Sequence, residues 1–201
     1  KGVSVLDAEA MFLTRLRWLA ETFPKLKIVF EHVSTQKALR CVWDLPDTVA
    51  ATITAHHLVL TFQDVIGATL NPHHFCKPVP KMGTDRYALR QAAISGNPKI
   101  FFGSDSAPHL ISAKESADVP AGIFSAPVAL PVLAQVFEEE DALDKLEGFT
   151  SEFGAKFYGL QPNIGTIGLV KEPWTVPETY GQFRPFMAGE TLQWRTVEIG
   201  A

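Results

Sequence analysis

The sequence predicts an α/β fold with parallel strands, and three short apolar runs are the main reason. KIVF at residues 27–30, VAATIT at 49–54 and KIFF at 99–102 are apolar and contain β-branched or aromatic residues. Strands buried on both faces of a parallel sheet read this way. Stretches with helical periodicity separate the three runs, which implies strand–helix–strand crossovers. Each run also leads into reactive side chains: Glu31 and His32, then His56 and His57, then Asp105 and His109. An α/β barrel gathers its chemistry at the carboxyl ends of its strands. A doubly wound sheet would do the same, but no G-x-G-x-x-G or G-K-[ST] turn comes after any of the runs.

Phe12, Leu16, Leu19 and Phe23 recur at helical spacing, so residues 7–23 form an amphipathic helix that Pro24 stops. A second helix is expected over 35–43. A loop rich in Asn, Pro, His and Gly runs from 67 to 83. Thr84 is the expected N-cap of a helix through Ser95, with Gly96 as its stop. Residues 104–125 read as loop, 127–137 as helix, and 142–149 and 151–158 as further helical segments. From residue 164 the chain turns strand-like in TIGLV, PWTVP and TLQWRTVEI. Residues 1–163 are thus expected to form one α/β unit, and 164–201 a small β extension packed on it.

Composition narrows the function. The chain is 46% hydrophobic and 20% charged, with a net charge of −4, an ordinary globular profile. Lys and Arg are scattered, so neither a nucleic-acid surface nor a polybasic membrane patch is expected. No apolar run reaches the roughly 18 residues of a spanning helix. Two cysteines, Cys41 and Cys76, make no disulfide framework. Both are expected to be reduced in a cytoplasmic protein. The chain opens Lys1-Gly2, with no initiator methionine and no signal pattern, as though cut from something longer.

The strand-end residues suit metal-assisted hydrolysis. Imidazole and carboxylate side chains at neighbouring strand ends can hold a divalent ion such as zinc, and a carboxylate there can take a proton from water. Taken singly each has a plainer reading. His32, His56 and His57 could be hydrogen-bonded structural histidines, and Asp105 a helix N-cap. His73 and His74 read as loop packing, Cys76 as a small buried hydrophobe, and the acidic run 138–141 as a solvated helix end. No H-x-H, H-E-x-x-H or C-x-x-C appears.

Taken together, FEHVST, TITAHHL, NPHHFCKP, FFGSDSAPH, AGIFSAP and FMAGETLQW resemble the C-terminal part of the single-function dihydroorotases of bacteria and fungi, members of the metal-dependent amidohydrolase superfamily. The resemblance runs through nearly the whole chain. It implies a (β/α)8 TIM-type barrel, of which this chain would hold strands six to eight. It also implies a binuclear zinc centre and the interconversion of N-carbamoyl-L-aspartate and L-dihydroorotate in pyrimidine biosynthesis. By the same resemblance His32 is a metal ligand. Asp105 is both ligand and proton carrier between the attacking water and the ring nitrogen. His109 binds the substrate carboxylate with help from Ala107 and Ala121, and Lys77 meets the pyrimidine ring through its backbone. His57 is not a ligand in this pattern.

The family's H-x-H pair, carbamylated lysine, fifth-strand histidine and substrate-binding Arg and Asn have no counterpart here. The resemblance therefore implies that an N-terminal part of the same protein completes the site, and that the protein is a homodimer. Three strands cannot close an eight-stranded barrel. Two other readings stay open: a different amidohydrolase, such as a hydantoinase or dihydropyrimidinase, and a non-catalytic assembly subunit.

Overall fold

In the computed structural model, which describes residues 2–198, the three apolar runs are adjacent parallel strands. They are β1 (Ile28–Phe30), β2 (Val49–Ile53) and β3 (Ile100–Phe102), in that spatial order. Ile28 pairs with Val49, and Ala51 with Ile100. Every residue of β2 is buried. That explains its unbroken apolar sequence, because a central parallel strand is covered on both faces.

Helices α1 (Ala8–Thr22), α2 (Gln36–Asp44), α3 (Ala55–Val59), α4 (Phe62–Val65) and α5 (Gly83–Ala93) connect or flank the strands. After β3 come α6 (Ile111–Lys114), α7 (Ala129–Glu139) and α8 (Phe153–Tyr158). Leu39, Val42, Leu89, Val132, Leu133 and Phe137 pack with the strands in one core. Thr35 caps α2, its hydroxyl accepting the Ala38 N–H at 3.1 Å.

Several local expectations shift. Thr84 does not cap α5. The helix begins two residues earlier, with Met82 at the cap, because the Asp85 carboxylate accepts the Met82 N–H at 3.3 Å. His56 and His57 do not close the second strand. They sit in the first turn of α3, because the Thr54 hydroxyl accepts the His57 N–H and starts a helix there. Leu16 is buried in α1, but Phe12 and Phe23 are 44% and 48% exposed, so the predicted apolar stripe is only partly covered. The loop at 104–125 contains one helical turn, α6. The helical segments of 142–158 divide into a 3-10 turn (Leu143–Lys145), a π turn (Gly148–Glu152) and α8.

TIGLV and PWT join into one strand, β4 (Ile167–Thr175), antiparallel to β5 (Thr191–Glu198). Pro173 is accommodated because the register shifts between Lys171 and Trp174, and a bulge tolerates a residue that cannot donate. The hairpin packs on α7. Trp194 Nε1 donates to Glu138 Oε2 at 3.0 Å, and the Lys171 ammonium pairs with Glu138 Oε1 at 2.6 Å. Ile199, the last residue of the third strand-like run, lies outside the described residues, as do Gly200, Ala201 and Lys1.

Candidate active site

Thr52, near the end of β2, organises the strand ends. Its hydroxyl accepts the His32 N–H at 2.7 Å, and its carbonyl accepts the Val33 N–H at 3.0 Å. On the other side, Gly103 N–H donates to the Ile53 carbonyl at 3.2 Å. A Cβ on Gly103 would stand 2.7 Å from that of Thr52, so only glycine lets β3 end this close to β2. The loop after β1 is held from behind by Glu9 of α1. That carboxylate accepts the Ser34 N–H at 2.8 Å, the Ser34 hydroxyl at 2.6 Å and the Thr35 hydroxyl at 2.5 Å. The Lys81 ammonium donates to Ser34 Oγ at 3.1 Å and to the Val79 carbonyl at 2.6 Å.

The two residues delivered by this scaffold share an unusual backbone. His32 has φ +46° and Asp105 φ +40°, both left-handed. Residues with a Cβ disfavour that region, and such strain concentrates at functional sites. His32 and Asp105 line one cavity of about 340 Å³ together with Glu31, Thr52, Phe102 and Tyr158. His32 Nδ1 is buried and has no hydrogen-bond partner among the described residues. Burial pushes the Asp105 carboxyl above its ordinary pKa, with the nearby His32 opposing and Glu31 reinforcing. An unpartnered imidazole nitrogen beside a carboxylate, both able to ligate zinc, fits a metal centre. Two donors do not complete one.

His109, Ala107 and Ala121 meet in a second cluster that does not line this cavity. Ser106 bridges to Ile123, and Ala107 N–H donates to the Ile123 carbonyl at 2.9 Å. His109 Nε2–H donates to the Ala121 carbonyl at 3.1 Å. Gly122, at φ +153°, lies so close that an added Cβ would be 2.7 Å from the Ala107 carbonyl and 2.8 Å from the His109 ring. Lys77 is exposed and lies in neither group.

The remaining histidines behave differently. His56 is fully buried, its ring 4.8 Å from that of His57 and 6.3 Å from that of Phe186, and both its nitrogens lack partners among the described residues. Burial, reinforced by neighbouring histidines, holds its pKa well below the ordinary value. His57 Nε2–H donates to the Pro78 carbonyl at 3.0 Å, which fixes the proton on Nε2. The Thr54 hydroxyl can then donate to Nδ1 at 2.8 Å. Burial, partly offset by the Pro78 bond, drops the His57 pKa to about 4. Cys76 S–H donates to the same Pro78 carbonyl at 3.3 Å, and burial raises its pKa to about 12. The ligating atoms of His56, His57 and Cys76 lie within 4.8 Å of one another. Two of the three direct their protons at one carbonyl, and His56 is held beside them by packing.

The parallel strands of this α/β chain thus lead into a histidine and an aspartate that share a left-handed backbone and one cavity. No family model matches the chain. It is 48% identical over 199 residues to a dihydroorotase of Coxiella burnetii, covering 96% of this chain and 57% of the relative. It is 49% identical over 199 residues to a dihydroorotase of Teredinibacter turnerae, covering 96% and 58%. The crystal structure of dihydroorotase from Saccharomyces cerevisiae in complex with 5-fluoroorotic acid superposes with a TM-score of 0.90 at 40% identity, covering 98% of this chain and 58% of that one. A D-hydantoinase superposes at 0.76 with 17% identity, covering 95% and 46%, a likeness of fold alone. Nearly the whole chain is therefore similar to part of a dihydroorotase, as its motifs imply, and spans somewhat over half the length of the relatives it matches. Among the described residues no helix is long and apolar enough to cross a membrane.

Glu9, Thr52, Lys81 and Gly122 were not legible as site-building residues. Their roles depend on which segments meet, and a single charged or small residue in a sequence does not carry that.

Proposed function

We propose that this chain is the C-terminal part of a zinc-dependent cyclic amide hydrolase that interconverts N-carbamoyl-L-aspartate and L-dihydroorotate in pyrimidine biosynthesis. The observation that carries the reading is the pair His32 and Asp105, both left-handed at strand ends and lining one cavity. In this reading the three strands belong to a (β/α)8 barrel, residues 164–201 are an extension on it, and an N-terminal part supplies the other ligands, a carbamylated lysine among them. The protein would act as a homodimer in the cytoplasm.

His32 and Asp105 would hold metal. Zinc, when bound, polarises the amide carbonyl and makes water a better nucleophile at neutral pH. Asp105 would accept the proton of the attacking water and return it to the ring nitrogen as the amide C–N bond breaks. Ala107 N–H is already engaged by the Ile123 carbonyl, so it offers the substrate nothing. Ala121 N–H has no acceptor among the described residues and is the available amide donor for the substrate carboxylate, beside His109. His109 is held beside that amide, its Nε2–H engaged by the Ala121 carbonyl. Lys77 would contribute backbone only.

The test is the hydrolysis rate of L-dihydroorotate, monitored by ultraviolet absorbance on the full-length protein with and without added zinc. Hydantoin and dihydrouracil are run alongside. Zinc-dependent turnover confined to L-dihydroorotate is expected. Faster turnover of the two substrates that lack a carboxylate would replace this reading with a hydantoinase-type one.

A further inference from the structure

Lys114 is 3% exposed, and no carboxylate lies within ion-pair distance of it among the described residues. Its ammonium donates to three carbonyls: Phe75 at 3.0 Å, Pro120 at 3.0 Å and Gly122 at 2.9 Å. That exhausts its three donors. Burial drags its pKa down to about 8, so keeping a cation here is costly. An apolar side chain of similar volume would be the cheaper filling.

The three carbonyls identify what the cost secures. Pro120 and Gly122 flank Ala121, whose own carbonyl is taken by His109. Three consecutive carbonyls are thus turned toward two side chains of one segment, His109 and Lys114. Phe75 belongs to the loop after α4 and also accepts the Gly122 N–H at 2.9 Å. One ammonium therefore ties together the loop that carries Lys77, the loop that carries Ala121 and the segment that carries His109. With its neighbouring carbonyls fixed, the Ala121 peptide keeps its N–H unspent.

We propose that Lys114 is a positioning residue for the anionic end of the substrate: it locks the Pro120 and Gly122 carbonyls on either side of Ala121 so that the Ala121 N–H and His109 form a preorganised carboxylate site, and adds a fixed positive charge behind it. Donors held in place before binding cost no reorganisation when the anion arrives. This inference rests on the reading given under Proposed function.

The test uses Lys114→Met in the full-length protein, with kcat and KM for L-dihydroorotate. Orotate binding is measured in parallel by calorimetry, which needs no turnover. KM should rise about tenfold and orotate affinity fall by a similar factor, as for a lost hydrogen bond to a charged group. The variant's kcat should stay within about twofold. A merely structural lysine would lower the amount of folded, active protein, reducing apparent kcat while KM and orotate affinity stayed at wild-type values; that result would overturn the proposal. Ala121→Pro, which deletes the N–H but leaves Lys114 in place, covers the case in which Lys114→Met does not fold. Wild-type KM and orotate affinity in Ala121→Pro would leave Lys114 nothing to position and would also overturn it. If wild-type protein binds orotate but does not turn over L-dihydroorotate, the functional reading fails while orotate affinity still decides the role of Lys114. If wild-type protein does not bind orotate at all, the proposal falls with it.

Discussion

Two groups of metal-capable side chains lie near the carboxyl ends of neighbouring strands, and they are in opposite states. His32 and Asp105 line an open cavity on strained backbone, with a histidine nitrogen unpartnered. His57 and Cys76 are sealed, and both donate to the Pro78 carbonyl, with His56 packed beside them. By residue type the sealed group is the better zinc set. By environment His57 and Cys76 are hydrogen-bonded core, because buried polar groups that have found partners have little left to offer a ligand. Backbone strain and an open cavity distinguish the two groups where composition does not, since unpartnered histidine nitrogens occur in both.

The comparison breaks most visibly at Asp105. In the full-length protein Asp105→Ala should lower kcat for L-dihydroorotate by at least about a thousandfold, at the strong end for a lost proton carrier, with an unchanged thermal midpoint. His57→Ala should do the reverse, costing stability while residual folded protein keeps near-normal kcat. If Asp105→Ala destabilised as much as His57→Ala, the contrast between the two groups would be wrong.

A smaller effect sharpens the same contrast through pH. His57 titrates near 4 in the folded chain, against about 6.5 when free. The unfolded state therefore binds the proton first as pH falls. The stability this group contributes is present above about 6.5 and is lost as pH drops toward 4. The loss amounts to about 3 kcal/mol for a fully buried ring. Urea midpoints measured between pH 7 and 4 should fall accordingly, and less steeply in His57→Gln. Identical pH slopes in the two proteins would remove His57 from the sealed core.

Much of this was readable in the sequence, for physical reasons. Unbroken apolar runs gave the parallel strands because β2 is buried on both faces. The run ends marked His32, His56, His57, Asp105 and His109 alike, because a buried parallel strand delivers the residues just past its carboxyl end to one face, and the family resemblance alone singled out His32 and Asp105 as ligands. The Thr84 cap failed because a side chain three residues on from Met82 took that role, which propensity does not foresee. His57 looked like a strand-end residue because the Thr54 hydroxyl that starts α3 resembles one more β-branched strand position. Lys114, in AKES, reads as an ordinary surface charge. Its burial depends on carbonyls from two other loops, one of them nearly forty residues earlier in the chain.

The most direct test of the central claim is zinc content. Full-length protein purified with zinc should lose most of its bound metal in His32→Ala and keep it in His57→Ala and Cys76→Ala, as measured by elemental analysis of folded protein. Metal retained in His32→Ala but lost with His57 or Cys76 would contradict the account and make the sealed cluster the metal site.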